Sequence, residues 1–177
     1  MNKQYLKIGL VTLMTSIYSS GALAAGGAIG TASAKVIAPL TIAEHVTTKL
    51  NFGDFAVGTV GGNVTISDAG VRTADADIDL LTVGATTTPS QGQFTIGGET
   101  TMAITVVVDM TAAVLDDGLG NTMGISANPA DAPLPTALVA GAATVNVGGI
   151  LSVAGSQPAG SYSTTAGTPY TITVNYQ

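Results

Sequence analysis

Pro169-Tyr170-Thr171-Ile172-Thr173-Val174-Asn175-Tyr176-Gln177 is the stretch from which the rest of the chain can be read. Tyr170, Ile172, Val174 and Tyr176 fall on one side of an extended backbone, and Thr171, Thr173 and Asn175 on the other. Strict period-two alternation of β-branched and aromatic residues is the pattern of a half-buried strand. Such a strand needs a neighbour on at least one side, or its backbone groups form an open edge. Its apolar face needs a second layer to cover it, so the expectation is a sandwich.

The segments upstream supply the other strands. Residues 35–46 alternate Val36, Ala38, Leu40 and Ile42 and read as strand, with Pro39 at an edge or bulge position. A short strand with a glycine kink follows at 50–55, carrying Phe52 and Phe55. Gly61-Gly62-Asn63 reads as a turn. Val64 to Ser67, the turn Asp68-Ala69-Gly70, and Val71-Arg72-Thr73 form a hairpin signal. Gln93-Phe94-Thr95-Ile96 is a strand closed by Gly97-Gly98. Residues 102–110 are the most apolar run, with Ile104, Val106 and Val108 on one face and Val107 on the other, which predicts a central strand. Residues 116–121 have turn chemistry, and 129–135 contain three prolines and form a loop. Strands at 143–147 and 150–153 flank Gly148-Gly149, and 155–167 read as turn-rich. No amphipathic helix of ten residues stands out after residue 25. Eight to ten short strands at this spacing indicate an all-β sandwich or barrel, and the lack of a fixed period argues against a solenoid.

The beginning of the chain carries a targeting pattern. Lys3 and Lys7 precede an apolar stretch from Ile8 to about Tyr18, and Ala22-Leu23-Ala24 is an A-x-A cleavage site. The stretch is shorter than the roughly 20 residues a membrane span needs. The expected organisation is therefore a signal peptide over 1–24, a small, Gly-rich flexible arm over 25–34, and a β-sandwich domain over 35–177. Such a protein is exported, and no membrane span is expected to remain after cleavage. Without the leader, the cations Lys35, Lys49 and Arg72 face eleven carboxylates, a net charge of about −8 (three minus eleven). That balance repels nucleic acid and anionic lipid. The chain has no cysteine, so no disulfide staples it and the core must be built from aliphatics. Only 9% of residues are charged, against about a quarter in ordinary soluble domains. This points to a surface covered in part by sister subunits.

Residues that could carry chemistry are few. His45 is the one histidine, it lies at a strand end beside Glu44, and the chain has no G-x-S-x-G elbow to partner it. With one histidine and no cysteine a zinc site lacks ligands. Asp75, Asp77 and Asp79 resemble the start of a calcium loop, but Leu80 and Thr86 occupy the positions where that loop needs glycine and a carboxylate. On a strand the three would line a solvent face. No structural calcium site is expected, and no catalytic residue, cofactor or metal is assigned. The tyrosines Tyr170, Tyr176 and Tyr162 could stack on sugars, but aromatics packed into a core are the commoner arrangement.

The segment Ala159-Gly160-Ser161-Tyr162-Ser163 followed by residues 170–177 resembles the ending of small secreted bacterial β-domains, among them the domain-of-unknown-function family DUF4402. More distantly it is similar to spore-coat-U and chaperone–usher pilin domains. Ala38-Pro39-Leu40-Thr41-Ile42 with Leu50-Asn51-Phe52-Gly53 resembles that family's first block, and Ile150-Leu151-Ser152-Val153 after Gly148-Gly149 its later one. The resemblance implies an immunoglobulin-like antiparallel sandwich, secreted and often fimbria-like, with no catalytic residues to carry over. The expected function is a structural subunit of a surface filament or biofilm matrix assembled by strand addition, in which main-chain hydrogen bonds give affinity and alternating side chains give register. The residues expected to take part are Ile29, Val36, Ala38, Leu40 and Ile42 on the donor side, and Tyr170, Ile172, Val174 and Tyr176 in the last strand. The expected partners are further copies of the chain, with a periplasmic chaperone and an outer-membrane usher. The alternative is a monomeric adhesin module that binds carbohydrate or a surface.

Overall fold

The computed structural model describes residues 29–177. The expected leader over 1–24 and the first residues of the arm, 25–28, lie outside them. Residues 36–177 form one compact unit.

The described residues contain no helix and form an all-β, sandwich-like fold. Thirteen strands appear among the described residues, more than the eight to ten expected. They are β1 (Thr41–Glu44), β2 (Phe55–Val57), β3 (Gly61–Ile66), β4 (Arg72–Ala74), β5 (Ile78–Leu80), β6 (Gly92–Gly97), β7 (Ile104–Asp109), β8 (Val114–Asp116), β9 (Thr122–Ser126), β10 (Ala142–Val147), β11 (Gly149–Ala154), β12 (Ser163–Thr168) and β13 (Thr171–Tyr176). Every pairing between them is antiparallel, in sheets of order β1-β6-β10, β12-β8-β9-β11-β3-β4, β13-β7 and β2-β5.

The last strand lies as its alternation predicts. Tyr170, Ile172, Val174 and Tyr176 pack half-buried against the core, while Thr171, Thr173 and Asn175 are exposed. β13 pairs in continuous register with β7, from Thr171 opposite Asp109 to Tyr176 opposite Ile104. Across the core it faces β6: the Tyr170 ring meets the Phe94 ring edge-on, with centroids 6.1 Å apart at 80°. The hairpin is also as expected, with Ile66 opposite Arg72. One extended run passes from β10 into β11 at Gly148, where a side chain would meet the Ile66 carbonyl and the Asp131 carboxylate. The core between the layers is aliphatic, with Ile66, Ile96, Ile104, Leu138, Leu151, Val64 and Val145 fully enclosed.

Four expectations change. Residues 36–40 form no strand and β1 begins only at Thr41, because Pro39 removes a ladder donor and Val36 stays 94% exposed. Gly61 and Gly62 lie inside β3 rather than in a turn; Gly61 has φ +81° and its bare Cα lies against the Val153 carbonyl, a place only glycine fits. The run 102–110 is not central: β7 has a full ladder with β13 alone, its other side reaching only a bridge at Ala103–Ala137, and Val107 is half exposed. The turn-rich stretch 155–167 holds the start of a strand, β12.

Candidate functional site: the open side of the sandwich

β12 and β13 are one extended run kinked at Pro169. Opposite it stand β7 and β8, separated by a turn closed by the Ala113 N–H on the Met110 carbonyl, and the pairing runs from Tyr176–Ile104 to Ser163–Asp116 with an irregularity on the way. On its outer side the 163–176 run is different. β12 ends its sheet and β13 pairs with β7 alone, and among the described residues no backbone hydrogen bond reaches that edge. Backbone N–H and C=O groups in extended conformation form a template for another strand.

Beside the β12 part of this edge the sandwich gapes. A cleft of about 810 Å³ lies between the runs 49–57 and 157–165, floored by Leu115, Met123, Ile125 and Leu151 and lined also by Tyr170. Three of these floor residues are core: Met123, Ile125 and Leu151 are buried. The cleft therefore opens onto the interior of the sandwich.

Hydrogen bonds hold both walls. Arg72 reaches across from β4 and donates to the carbonyls of Phe52 (3.1 Å), Asp54 (3.1 Å) and Leu81 (2.7 Å), which fixes the 52–54 wall. The Asp54 carboxylate accepts from the Thr87 hydroxyl (2.5 Å), the Thr86 backbone N–H and the Thr86 hydroxyl (2.8 Å). These donors, the Thr87 hydroxyl foremost, lower its pKa from 3.8 to about 2. On the opposite wall the Tyr162 hydroxyl donates to the Pro158 carbonyl (2.7 Å) and accepts from the Gln157 amide (3.1 Å). Tyr170 contributes a hydroxyl that is buried without a partner among the described residues. Burial, with the Glu44 carboxylate adding to it, pushes this phenol up to about 12.

The expected assembly residues fall into two groups. Ile29 (97% exposed), Val36 and Ala38 lie on the segment before β1, which forms no strand. Leu40 is half-buried against the core, and Ile42 sits in β1 beside Ile96 of β6. The structure joins the two groups at one point. The Tyr176 hydroxyl donates to the Ala38 carbonyl (2.9 Å) and accepts from the Glu99 N–H (2.6 Å), so residue 38 is tied to the Tyr176 end of β13. Sequence reasoning singled out residues 159–163 and Tyr162 but not their place in a cleft wall, and it passed over the Asp54 clamp and the Arg72 brace. Their only signal was the isolated Arg72, a long donor in a chain nearly without cations.

The acidic residues act on backbone. Asp77 accepts from the N–H groups of Val60 and Gly61 (2.8 Å each) and Asp75 from that of Asn63 (2.8 Å), and only Asp79 lies on a strand. They do not line one face as expected, because Asp75 and Asp77 fold back onto the loop and strand before them. His45 is exposed and accepts the Thr48 N–H at Nδ1 (3.1 Å). Among the described residues no three His, Asp or Glu side chains converge as metal ligands would, and no helix is long and apolar enough to cross a membrane. What the open side offers is backbone hydrogen-bonding capacity beside an apolar floor.

Compared with known proteins, residues 40–176 match the model of the family described as "Domain of unknown function (DUF4402)". No curated protein and no solved structure matches the chain.

Proposed function

The chain belongs to the domain-of-unknown-function 4402 family, and from the open side of this member's sandwich we propose that it is a non-catalytic structural subunit of a bacterial surface filament or biofilm matrix, assembled by β-strand addition. The observation that carries this reading is the unpaired outer edge of the 163–176 run lying beside a cleft floored by core residues. An added strand would satisfy the edge's backbone groups and cover the floor with alternate side chains. The low charge and the leader pattern over 1–24 support a subunit that is exported and then covered by its neighbours. A periplasmic chaperone and an outer-membrane usher are the partners this reading calls for, since an open apolar cleft needs cover in transit. Deleting residues 25–34 and imaging cells and purified protein by electron microscopy tests it: filaments are lost or shortened. Filaments of normal length without the segment overturn the reading.

A second reading, a monomeric glycan-binding adhesin, draws on the aromatic residues around the same cleft, Phe52, Phe55, Tyr162 and Tyr170. A glycan array on the monomer separates the two. Specific sugar binding favours the adhesin, and polymerisation that rises with concentration favours the filament subunit.

A further inference from the structure

We infer that the cleft between 49–57 and 157–165 takes residues 31–36 of a second copy as a strand added along the outer edge of β12, and that the contact runs head to tail. This rests on the strand-addition reading above and assigns both of its surfaces. Thr31-Ala32-Ser33-Ala34-Lys35-Val36 alternates polar and apolar side chains without a break. That is a strand pattern, yet these residues form no strand in the subunit and all six are exposed. The apolar side is small, two alanines and a valine. Small side chains let an added backbone come close to an edge while still covering an apolar floor.

The donor must come from another copy because of where the chain leaves the body. Ala38 is tied to Tyr176, at one end of β13, and Tyr170, beyond the other end, lines the cleft. Six residues of strand separate those points, about 20 Å. The direction of β1 agrees: its last residue, Glu44, lines the cleft, whereas its first, Thr41, lies opposite Gly97. Residue 38 therefore sits at the end of the body away from Tyr170 and Glu44. The donor segment and the acceptor cleft are different surfaces and make a heterologous contact, and such a contact repeats into an open filament unless its rotation closes a ring.

The chain has no cysteine, so introduced pairs report without background. Thr31→Cys and Ser33→Cys are made on the polar side of the donor, and Ser163→Cys and Thr165→Cys at exposed positions of β12. Thr73→Cys, exposed on β4 at the far edge of the same sheet, is the control. Donor and acceptor single variants of the otherwise full chain are mixed and oxidised. The expected result is a disulfide-linked heterodimer in at least one register, about tenfold above the donor–Thr73→Cys mixture because added strands hold the thiols at high effective concentration. Double variants are expected to give a ladder of linked oligomers. Equal yield with Thr73→Cys overturns the inference, and so does a bridge that forms only within single chains of a double variant. Filaments that form with no bridge at any of these pairs place the donor elsewhere and leave strand addition standing. If neither filaments nor linked species form, the strand-addition reading fails together with this one.

Discussion

Asp54 holds the 49–57 wall through its carboxylate oxygens, and this gives the wall a pH dependence. Its folded pKa lies below the ordinary carboxylate value, so the stability it contributes is present above about pH 4 and is lost as pH falls toward about 2. Asp54→Asn keeps one acceptor oxygen and no charge. It is expected to melt below the parent at pH 7, with the gap closing between pH 4 and pH 2. A gap that stays constant down to pH 2 in melts followed by circular dichroism would show that the clamp does not titrate. Tyr170 has the opposite character. Among the described residues its buried hydroxyl has no partner, and an unsatisfied buried polar group costs about 1–3 kcal/mol. Tyr170→Phe keeps the ring against Phe94 and is expected to leave the subunit as stable as the parent, or up to about 1 kcal/mol more stable. The parent should also lose stability as pH rises from 10 to 12, because the unfolded phenol ionises before the folded one. The phenylalanine variant should lose less over that range, which alkaline melts would read directly.

At the scale of the element, β13 stabilises the fold by its face and its ladder together. Ile172 and Val174 are half-buried rather than enclosed, so each contributes roughly half of the 1.5–3 kcal/mol of a fully buried aliphatic. Ile172→Asp places a charge against the core and is expected to cost about 3 kcal/mol. Thr173→Asp, exposed and opposite Val107, should stay within about 0.5 kcal/mol of the parent. Thr171 is also exposed, but its partner across the ladder is Asp109. Thr171→Asp therefore sets two carboxylates against each other and should cost up to about 1 kcal/mol more than Thr173→Asp. Urea titration of the three variants checks the order, and an Ile172→Asp protein that unfolds with the parent would reverse the assigned face.

For the whole molecule, cohesion comes from aliphatic burial and antiparallel ladders. No disulfide is possible, and the Lys49–Glu44 pair, 3.4 Å apart, is exposed and contributes less than about 1 kcal/mol. Removing residues 170–177 strips β7 of its one full ladder and uncovers the layer around Ile96 and Ile104. That truncation is expected to abolish the cooperative melt, since the loss approaches the roughly 5–15 kcal/mol that stabilises a domain. Of residues 25–34, the described ones, 29–34, are exposed and form no strand. Removing 25–34 should leave the melting temperature unchanged while affecting assembly. A folded 1–169 chain would mean that the sandwich closes without its last strand.

Local pattern determined what alternation can encode. The period-two run 170–176 has only one way to place four apolar side chains on one face, and the Asp68-Ala69-Gly70 turn has only one use between two strand patterns. The all-β class follows from such signals repeated along a chain that lacks an amphipathic helix. Which edges stay open did not follow from them. Residues 102–110 look central because they are apolar, yet what makes a strand central is a partner on both sides, and partners are set by contacts distant in sequence. β12 carries Ser163-Thr164-Thr165-Ala166-Gly167-Thr168 with no apolar alternation, because a strand whose outer edge is unpaired beside a cleft has little core to face. The cleft joins residues 49–57 to 157–165, about a hundred positions apart, so only tertiary packing could bring its walls together. Residue 38 is held at the Tyr176 end by the Tyr176 hydroxyl, the Glu99 carboxylate and the β1–β6 ladder that follows, contacts for which alternation has no signal.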